Sequence, residues 1–244
     1  MDALPLSLLQ LLLANLAIAA GALLQGVAGY GIGTLSAPLL FLISPALVPG
    51  TLTMNAMVLT VLMLVRNRTS LGFAAVRHAM LGAAIGTLAA AVVLTRLSPA
   101  GFGLAFGVLI LLAVGLSVAG LKPALNQRNS ILAGGLSGFM GTITAVGGPP
   151  IALIYQRQPA ELVRANLSAF FLFGSATAFL GLLMSGFIHQ LEVTLFSLTV
   201  PGVLVGFWLS GRLLHRVPGG ALRPLILTIA ALSGTGAIVR SLLA

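Results

Sequence analysis

The fold of this chain is decided by two stretches, Gln25-Gly-Val-Ala-Gly-Tyr-Gly-Ile-Gly-Thr-Leu-Ser-Ala-Pro38 and Ser137-Gly-Phe-Met-Gly-Thr-Ile-Thr-Ala-Val-Gly-Gly-Pro-Pro150. At a shift of 112 residues, three helix-breaking positions coincide: Gly26 with Gly138, Gly29 with Gly141 and Pro38 with Pro150. Glycine and proline weaken or end a helix. In lipid, freed backbone groups are tolerated only inside protein or beside a polar cavity. Two such breaks in apolar surroundings therefore predict a small-solute site between repeats.

The composition around these stretches is that of a membrane protein. Of 244 residues, 59% are hydrophobic and only 6% are charged, and the mean hydropathy is +1.15, whereas soluble domains are about one quarter charged. The apolar residues form eight blocks, at 4–43, 46–65, 78–94, 102–121, 131–155, 162–188, 193–214 and 222–239. Several blocks reach the length of about 20 residues that one crossing needs. We therefore predict an all-α polytopic membrane protein.

A second set of matches divides the chain into two homologous four-segment halves. Asn55 matches Asn166 at a shift of 111 residues. The small-residue pairs match at a shift of 120 residues: Gly82 with Gly202 and Gly86 with Gly206. The polar stretch between the halves is the one plausible linker, so we predict a repeat at 1–121, a basic linker at 122–130 and a repeat at 131–244. The paired glycines predict close helix packing.

The distribution of Lys and Arg tests the topology. If each of the eight blocks crosses once, six basic residues lie on each face, against the usual positive-inside bias. If block 131–155 instead enters and returns to the same side, ten lie on one face and only Arg96 and Arg240 on the other. That block is too short for two crossings. We therefore predict a re-entrant element there and inverted repeats, each with a broken or re-entrant Gly/Pro element.

The residues that the chain lacks exclude most functions. Its only acids are Asp2, Glu161 and Glu192, and it has no Cys. It therefore offers no carboxylate pair for acid–base catalysis, no metal-ligand cluster and no P-loop, which predicts a protein that is not an enzyme and needs no cofactor. The 12 basic residues are scattered at block ends, which argues against nucleic-acid binding. A transporter or channel remains, and the net charge of +9 favours an anion.

The predicted substrate-binding residues come from the two Gly/Pro elements and the paired asparagines. They are Gly29, Tyr30, Gly31, Gly33, Asn55, Gly141, Thr142, Thr144, Gly147, Gly148, Pro149 and Asn166. Helix ends offer free N–H groups and a dipole suited to an anion, and glycines let a ligand approach the backbone. For the asparagines, site lining and simple helix–helix hydrogen bonding are equally compatible with the sequence.

The phrase Gly138-Phe-Met-Gly-Thr-Ile-Thr-Ala-Val-Gly-Gly-Pro-Pro150, with its counterpart at Gly26–Gly33 and Pro38, resembles the TauE/SafE sulfite exporter family. The resemblance spans nearly the whole chain and implies transport of small sulfur-containing anions, such as sulfite or organosulfonates, across the bacterial inner membrane. The expected partners are then a small anion and the lipid bilayer, with a homo-oligomer left open. The alternatives are an anion channel and a non-transporting membrane scaffold or assembly factor.

Overall fold

The computed structural model describes residues 6–68, 71–213 and 223–243, and within these ranges the regular secondary structure is helical, without strands. The ten α-helices are α1 Leu8–Ala28, α2 Ala37–Ile43, α3 Gly50–Asn67, α4 Phe73–Leu94, α5 Pro99–Val118, α6 Gln127–Thr144, α7 Gly148–Tyr155, α8 Ala160–Met184, α9 Gln190–Leu213 and α10 Arg223–Leu243. A π-helix, Ile32–Ser36, leads into α2, and a 3-10 turn, Pro45–Leu47, precedes α3.

Seven of these helices are long and apolar enough to cross a membrane, namely α1, α3, α4, α5, α8, α9 and α10. Their outer surfaces carry large apolar side chains such as Leu88, Trp208 and Leu232, which are 68%, 56% and 69% exposed. Such a surface is stable in lipid and not in water. The prediction of an all-α polytopic membrane protein is confirmed, although one of the eight predicted blocks lacks a spanning helix.

The first apolar block, 4–43, is a helical hairpin. The helix α1 ends at Ala28, and the chain turns back through the π-helix into α2. Two hydrogen bonds fix this return: the Ser36 hydroxyl donates to the Ala17 carbonyl at 2.8 Å, and the Gln10 amide donates to the Ile43 carbonyl at 3.4 Å. The end of α2 therefore lies beside the beginning of α1.

The block 131–155 is a second hairpin, made of α6 and α7. The Ser137 hydroxyl of α6 donates to the Gly147 carbonyl just before α7 begins. At the far end, the Gln156 side chain donates to the Leu121 carbonyl at 2.9 Å, beside the linker from which α6 starts. The segment thus returns to the side from which it entered, as the charge distribution predicts.

Glycines bring the first helix of each hairpin against a helix of the other half. A Cβ at Gly82 of α4 would collide with the Ile131 carbonyl of α6, and one at Gly202 of α9 would lie 2.6 Å from the Asn15 carbonyl of α1. Both helix pairs run parallel. The predicted packing role of these small residues is confirmed, since backbones approach this closely only where no side chain intervenes.

Two further helix pairs between the halves, α3 with α8 and α5 with α10, run antiparallel. Asn166, near the beginning of α8, accepts a hydrogen bond from the Gly72 N–H beyond the end of α3, while Gly50 at the start of α3 packs on the Phe187 carbonyl beyond the end of α8. Helices α5 and α10 cross in the same antiparallel sense, with Gly107 against the Gly234 carbonyl.

Candidate substrate-binding site

The two hairpins meet where their helices are broken. At the turn of the first hairpin, Gly29 has φ 90°, and at the turn of the second, Ala145 has φ 60°. Both values lie in the left-handed region, which ends a helix. A Cβ at Gly33 would collide with the Ala145 carbonyl, and one at Gly148 would lie 2.9 Å from Cδ2 of Tyr30. Each Gly/Pro element therefore interrupts its helix, and the two elements touch, while the expectation that they meet near the bilayer midplane stays a prediction.

A cavity of about 70 Å³ lies at this junction, bounded by both hairpins together with α3, α4 and α8. About 10–15 Å³ suffices for one water, so the space suits a few waters or one small anion. Its polar lining consists of neutral side chains, Gln25, Thr34, Thr53, Thr60, Ser137, Thr142 and Ser175. None of the described residues that line it is an Asp, Glu, Lys, Arg or His, and these residues contain no cluster suited to a metal ion.

Two hydroxyls in this wall are free to bind a ligand. Thr34 of the π-helix is 8% exposed and Thr53 of α3 is 3% exposed. Neither Oγ1 atom has a hydrogen-bond partner among the described residues. A buried polar group left unsatisfied costs about 1–3 kcal/mol. An anion that accepts these two hydrogen bonds would remove that cost.

Six of the predicted site residues line the cavity: Gly31, Gly33, Gly141, Thr142, Gly147 and Gly148. The Thr142 hydroxyl already donates to the Gly138 carbonyl at 2.8 Å and lies 3.2 Å from the Thr87 hydroxyl. Because a hydroxyl has a single proton to donate, Thr142 is not a free donor for an anion in this conformation.

The N-terminus of α7 also faces the cavity, through Gly147 and Gly148. The first four residues of a helix ordinarily offer unpaired N–H groups. Here Pro149 and Pro150 occupy two of those positions, and proline has no N–H. The helix dipole therefore remains favourable to an anion, but the predicted supply of backbone donors is halved.

Three predicted residues of the hairpins support the turns instead of lining the cavity. Gly29 provides the left-handed turn after α1. Tyr30 packs against Gly148. The Thr144 hydroxyl donates to the Met140 carbonyl at 2.7 Å and accepts from the Val146 N–H at 3.0 Å, which fixes the end of α6.

The other three predicted residues also lie outside the cavity wall. The Asn55 amide donates to the Thr199 hydroxyl of α9 at 2.9 Å, so this residue joins two helices. Asn166 holds the connection between α3 and α4 through the Gly72 N–H. Pro149 is buried in the first turn of α7. Of the two roles that the sequence allows for the asparagines, the contacts correspond to helix–helix hydrogen bonding.

Sequence reasoning missed several residues of the wall. Gln25, Thr34 and Ser137 lie within the two Gly/Pro stretches and carry polar side chains, so their positions gave a usable signal. Thr53 and Thr60 of α3 are seven residues apart and therefore share one helix face. Nothing in a single sequence distinguishes that face from the face that packs on α9.

Residues 13–236 match the family model described as Sulfite exporter TauE/SafE. Neither the search of curated proteins nor the search of solved structures gave a significant match. The family match covers both hairpins and the helices between them.

Proposed function

Because the chain belongs to the TauE/SafE sulfite exporter family, we propose that it is a secondary transporter that exports a small sulfur-containing anion such as sulfite or an organosulfonate. The observation that carries the proposal is the uncharged, hydroxyl-lined cavity at the junction of the two broken hairpins. In this proposal the Thr34 and Thr53 hydroxyls and the N-terminus of α7 bind the anion, close to the glycines that line the wall.

The chemistry of the wall favours an anion over a cation. A cation buried in a membrane protein is usually balanced by a carboxylate, and none of the described residues that line the cavity is an acid. The two unpartnered hydroxyls can donate to oxygens of a sulfite or sulfonate. The positive end of the α7 dipole adds attraction without a fixed charge.

The helix directions support inverted repeats within this transporter. If α1–α5 correspond in order to α6–α10, the contact of α1 with α9 corresponds to that of α6 with α4. The helices α3 and α8 correspond to each other and are antiparallel, as are α5 and α10. A twofold axis that relates antiparallel partners runs perpendicular to them, hence in the plane of the membrane. We propose this relation between 1–121 and 131–244, and rocking of one half against the other as the route to alternating access.

The same directions support an orientation in the membrane. The helices α3 and α5 run away from the N-terminal side, and each hairpin returns to the side from which it entered. Of the basic residues in the described ranges, nine then lie on the face of the linker and two, Arg96 and Arg240, on the other face. Positive residues accumulate on the cytoplasmic side. We therefore propose a multi-pass protein of the cell inner membrane with the 122–130 linker in the cytoplasm and the cavity between the two faces.

The decisive experiment fills the cavity with a side chain whose Cβ collides with none of the surrounding helices. Gly174 of α8 lines the cavity, and a Cβ there meets nothing within 4 Å, so Gly174→Leu should fold and occupy the space. Proteoliposome uptake of sulfite, taurine, sulfoacetate, thiosulfate and sulfate is measured for this variant. The control is Gly115→Leu on α5, an exposed position whose added Cβ also meets nothing.

We expect wild-type and Gly115→Leu protein to transport at least one of these anions, and folded Gly174→Leu protein to lose that transport. Full activity of Gly174→Leu would remove the cavity from the mechanism. Absence of transport by the wild type, together with no thermal stabilisation by any of the anions, would favour a scaffold. A flux that does not saturate with concentration would favour an anion channel.

A further inference from the structure

Two arginines lie together at the linker-side end of the molecule, beside the turn of the first hairpin. Arg66, near the end of α3, donates to the Gly26 carbonyl at 2.8 Å and to the Ser210 hydroxyl at 2.9 Å. Arg164, at the beginning of α8, packs on the same turn, because a Cβ at Gly29 would lie 3.3 Å from its Cα. The end of α1 therefore contacts both α3, which carries Arg66, and α8, which carries Arg164.

Among the described residues, the arginine pair Arg66 and Arg164 has no carboxylate partner. Both side chains lie at the end of α1, since a Cβ at Gly26 would be 3.3 Å from Nη2 of Arg66 and a Cβ at Gly29 would be 3.5 Å from Cγ of Arg164. In the described part of the chain, neither forms an ion pair with a carboxylate, since the one ion pair there joins His189 and Glu192. Both Nε atoms are buried and lack a hydrogen-bond partner. Paired like charges with unsatisfied donors are unfavourable unless an anion joins them.

The position of Arg164 connects this pair to the cavity. Arg164, Phe171 and Ala178 are spaced by seven residues along α8, so they share one helix face. Phe171 and Ala178 line the cavity. At 1.5 Å per residue, Arg164 lies about 10 Å along the helix from Phe171. On the side of α1, Gln25 lines the cavity and is adjacent to Gly26, whose carbonyl binds Arg66.

We propose that Arg164, supported by Arg66, forms an oxyanion-binding site at the mouth of the cavity on the linker side. The guanidinium group of arginine presents several donors that match the oxygens of sulfite, sulfonate or phosphate. Resting on the proposed function, this site captures the transported anion before it enters the uncharged cavity. The competing source of the same chemistry is a lipid phosphate group at the membrane surface.

The first test measures sulfite transport from the linker side in proteoliposomes of oriented protein. Loss of a charge-assisted hydrogen bond should raise KM in Arg164→Gln about tenfold, with kcat changed less than twofold. Arg164→Lys keeps the charge and should give an intermediate KM. The matched control is Arg128→Gln, an exposed arginine at the beginning of α6 on the same face, which should leave KM unchanged. An unchanged KM in folded Arg164→Gln protein would overturn the proposal.

The second test uses the wild-type protein and therefore does not depend on how a variant folds. Arginines are modified with phenylglyoxal in phospholipid-free detergent, and the modified sites are read by mass spectrometry. Methanesulfonate should protect Arg164 and leave Arg128 equally reactive. Protection by added phosphatidylglycerol but not by methanesulfonate would assign the site to lipid and overturn capture of substrate, as would equal labelling in all samples. If the wild type transports none of the anions, the proposed function fails, and this labelling alone decides whether Arg164 binds an oxyanion.

Discussion

The first hairpin, formed by α1 and α2, and the second hairpin, formed by α6 and α7, make their turns differently. Between the left-handed residue and the next helix, the first hairpin has five more residues than the second, since α2 begins at Ala37 after Gly29 whereas α7 begins at Gly148 after Ala145. Five residues is the length of the π-helix Ile32–Ser36. Such an insertion places Thr34 against the cavity, and π-helical turns are frequent at functional sites.

The difference between the hairpins suggests a division of labour. The first hairpin supplies a free hydroxyl, with a second from the neighbouring α3. The second hairpin supplies a rigid helix start, with two prolines in its first turn and its hydroxyls committed to backbone carbonyls. We infer that the first half makes most of the direct contacts with the anion and that the second half provides the opposite wall of the cavity.

The largest effect is expected where the hairpins touch. Gly33→Val places a branched side chain against the Ala145 carbonyl, and backbone on both sides prevents accommodation. We expect transport to fall to background and thermal stability to drop. The measurement is proteoliposome uptake beside a melting curve, with Gly115→Val as the matched control at an open position. Normal uptake by Gly33→Val protein would mean that the two turns separate without consequence.

A smaller effect is expected from removing the free hydroxyls. Thr34→Val and Thr53→Val keep the side-chain shape and delete one donor each, so each should lower kcat/KM for the transported anion about tenfold. Both should leave stability unchanged or raise it, because an unsatisfied buried hydroxyl is lost.

The matched variant for this pair is Thr142→Val in the second hairpin. Its hydroxyl already donates to the Gly138 carbonyl, so we expect a change in kcat/KM below threefold. Equal losses in all three variants would show that both hairpins recognise the anion alike, and the proposed division of labour would be wrong.

The smallest effect is expected at the two left-handed residues, and the change in stability should be larger in the first hairpin than in the second. Gly29→Ala introduces a Cβ in the left-handed region, which costs about 1–2 kcal/mol of stability. Ala145→Gly relieves the same strain but increases the entropy of the unfolded chain, so its net change should stay within about 1 kcal/mol. Melting temperatures of the two variants in one detergent test this. Equal destabilisation by both substitutions would contradict the equivalence of the two turns.

The sequence predicts the membrane class and the re-entrant second hairpin because charge and hydropathy act over whole segments. It does not predict which residue of the first turn corresponds to which residue of the second. Identity matching pairs Gly29 with Gly141, whereas the structure pairs it with Ala145, at a shift of 116 residues. Glycine-rich stretches match at several shifts, and here an alanine occupies the left-handed position that usually favours glycine. The π-helix insertion changes the shift between the two sides of the turn.

The sequence also predicts only part of the candidate site. Glycines that permit close contact are recognisable from repeats, and Gly33 and Gly148 lie at the junction of the hairpins, while their part in substrate binding stays a prediction. The direction of a polar side chain depends on the rotation of its helix, which a diverged repeat does not reveal. Asn55 and Thr53 are two residues apart on α3, yet the first faces α9 and the second faces the cavity.

The first helix of each half packs against a helix of the other half, and this arrangement has a consequence for biosynthesis. Asn15 of α1 is hydrogen-bonded to the Gly202 N–H of α9, 187 residues later in the chain. A ribosome that adds about 5–20 residues per second produces α9 only about 10–40 s after α1. During that interval α1 lies in the bilayer with a polar amide and a row of small residues lacking their final neighbour. The nascent first half is therefore an assembly intermediate that calls for protection by the insertion machinery until the chain is nearly complete.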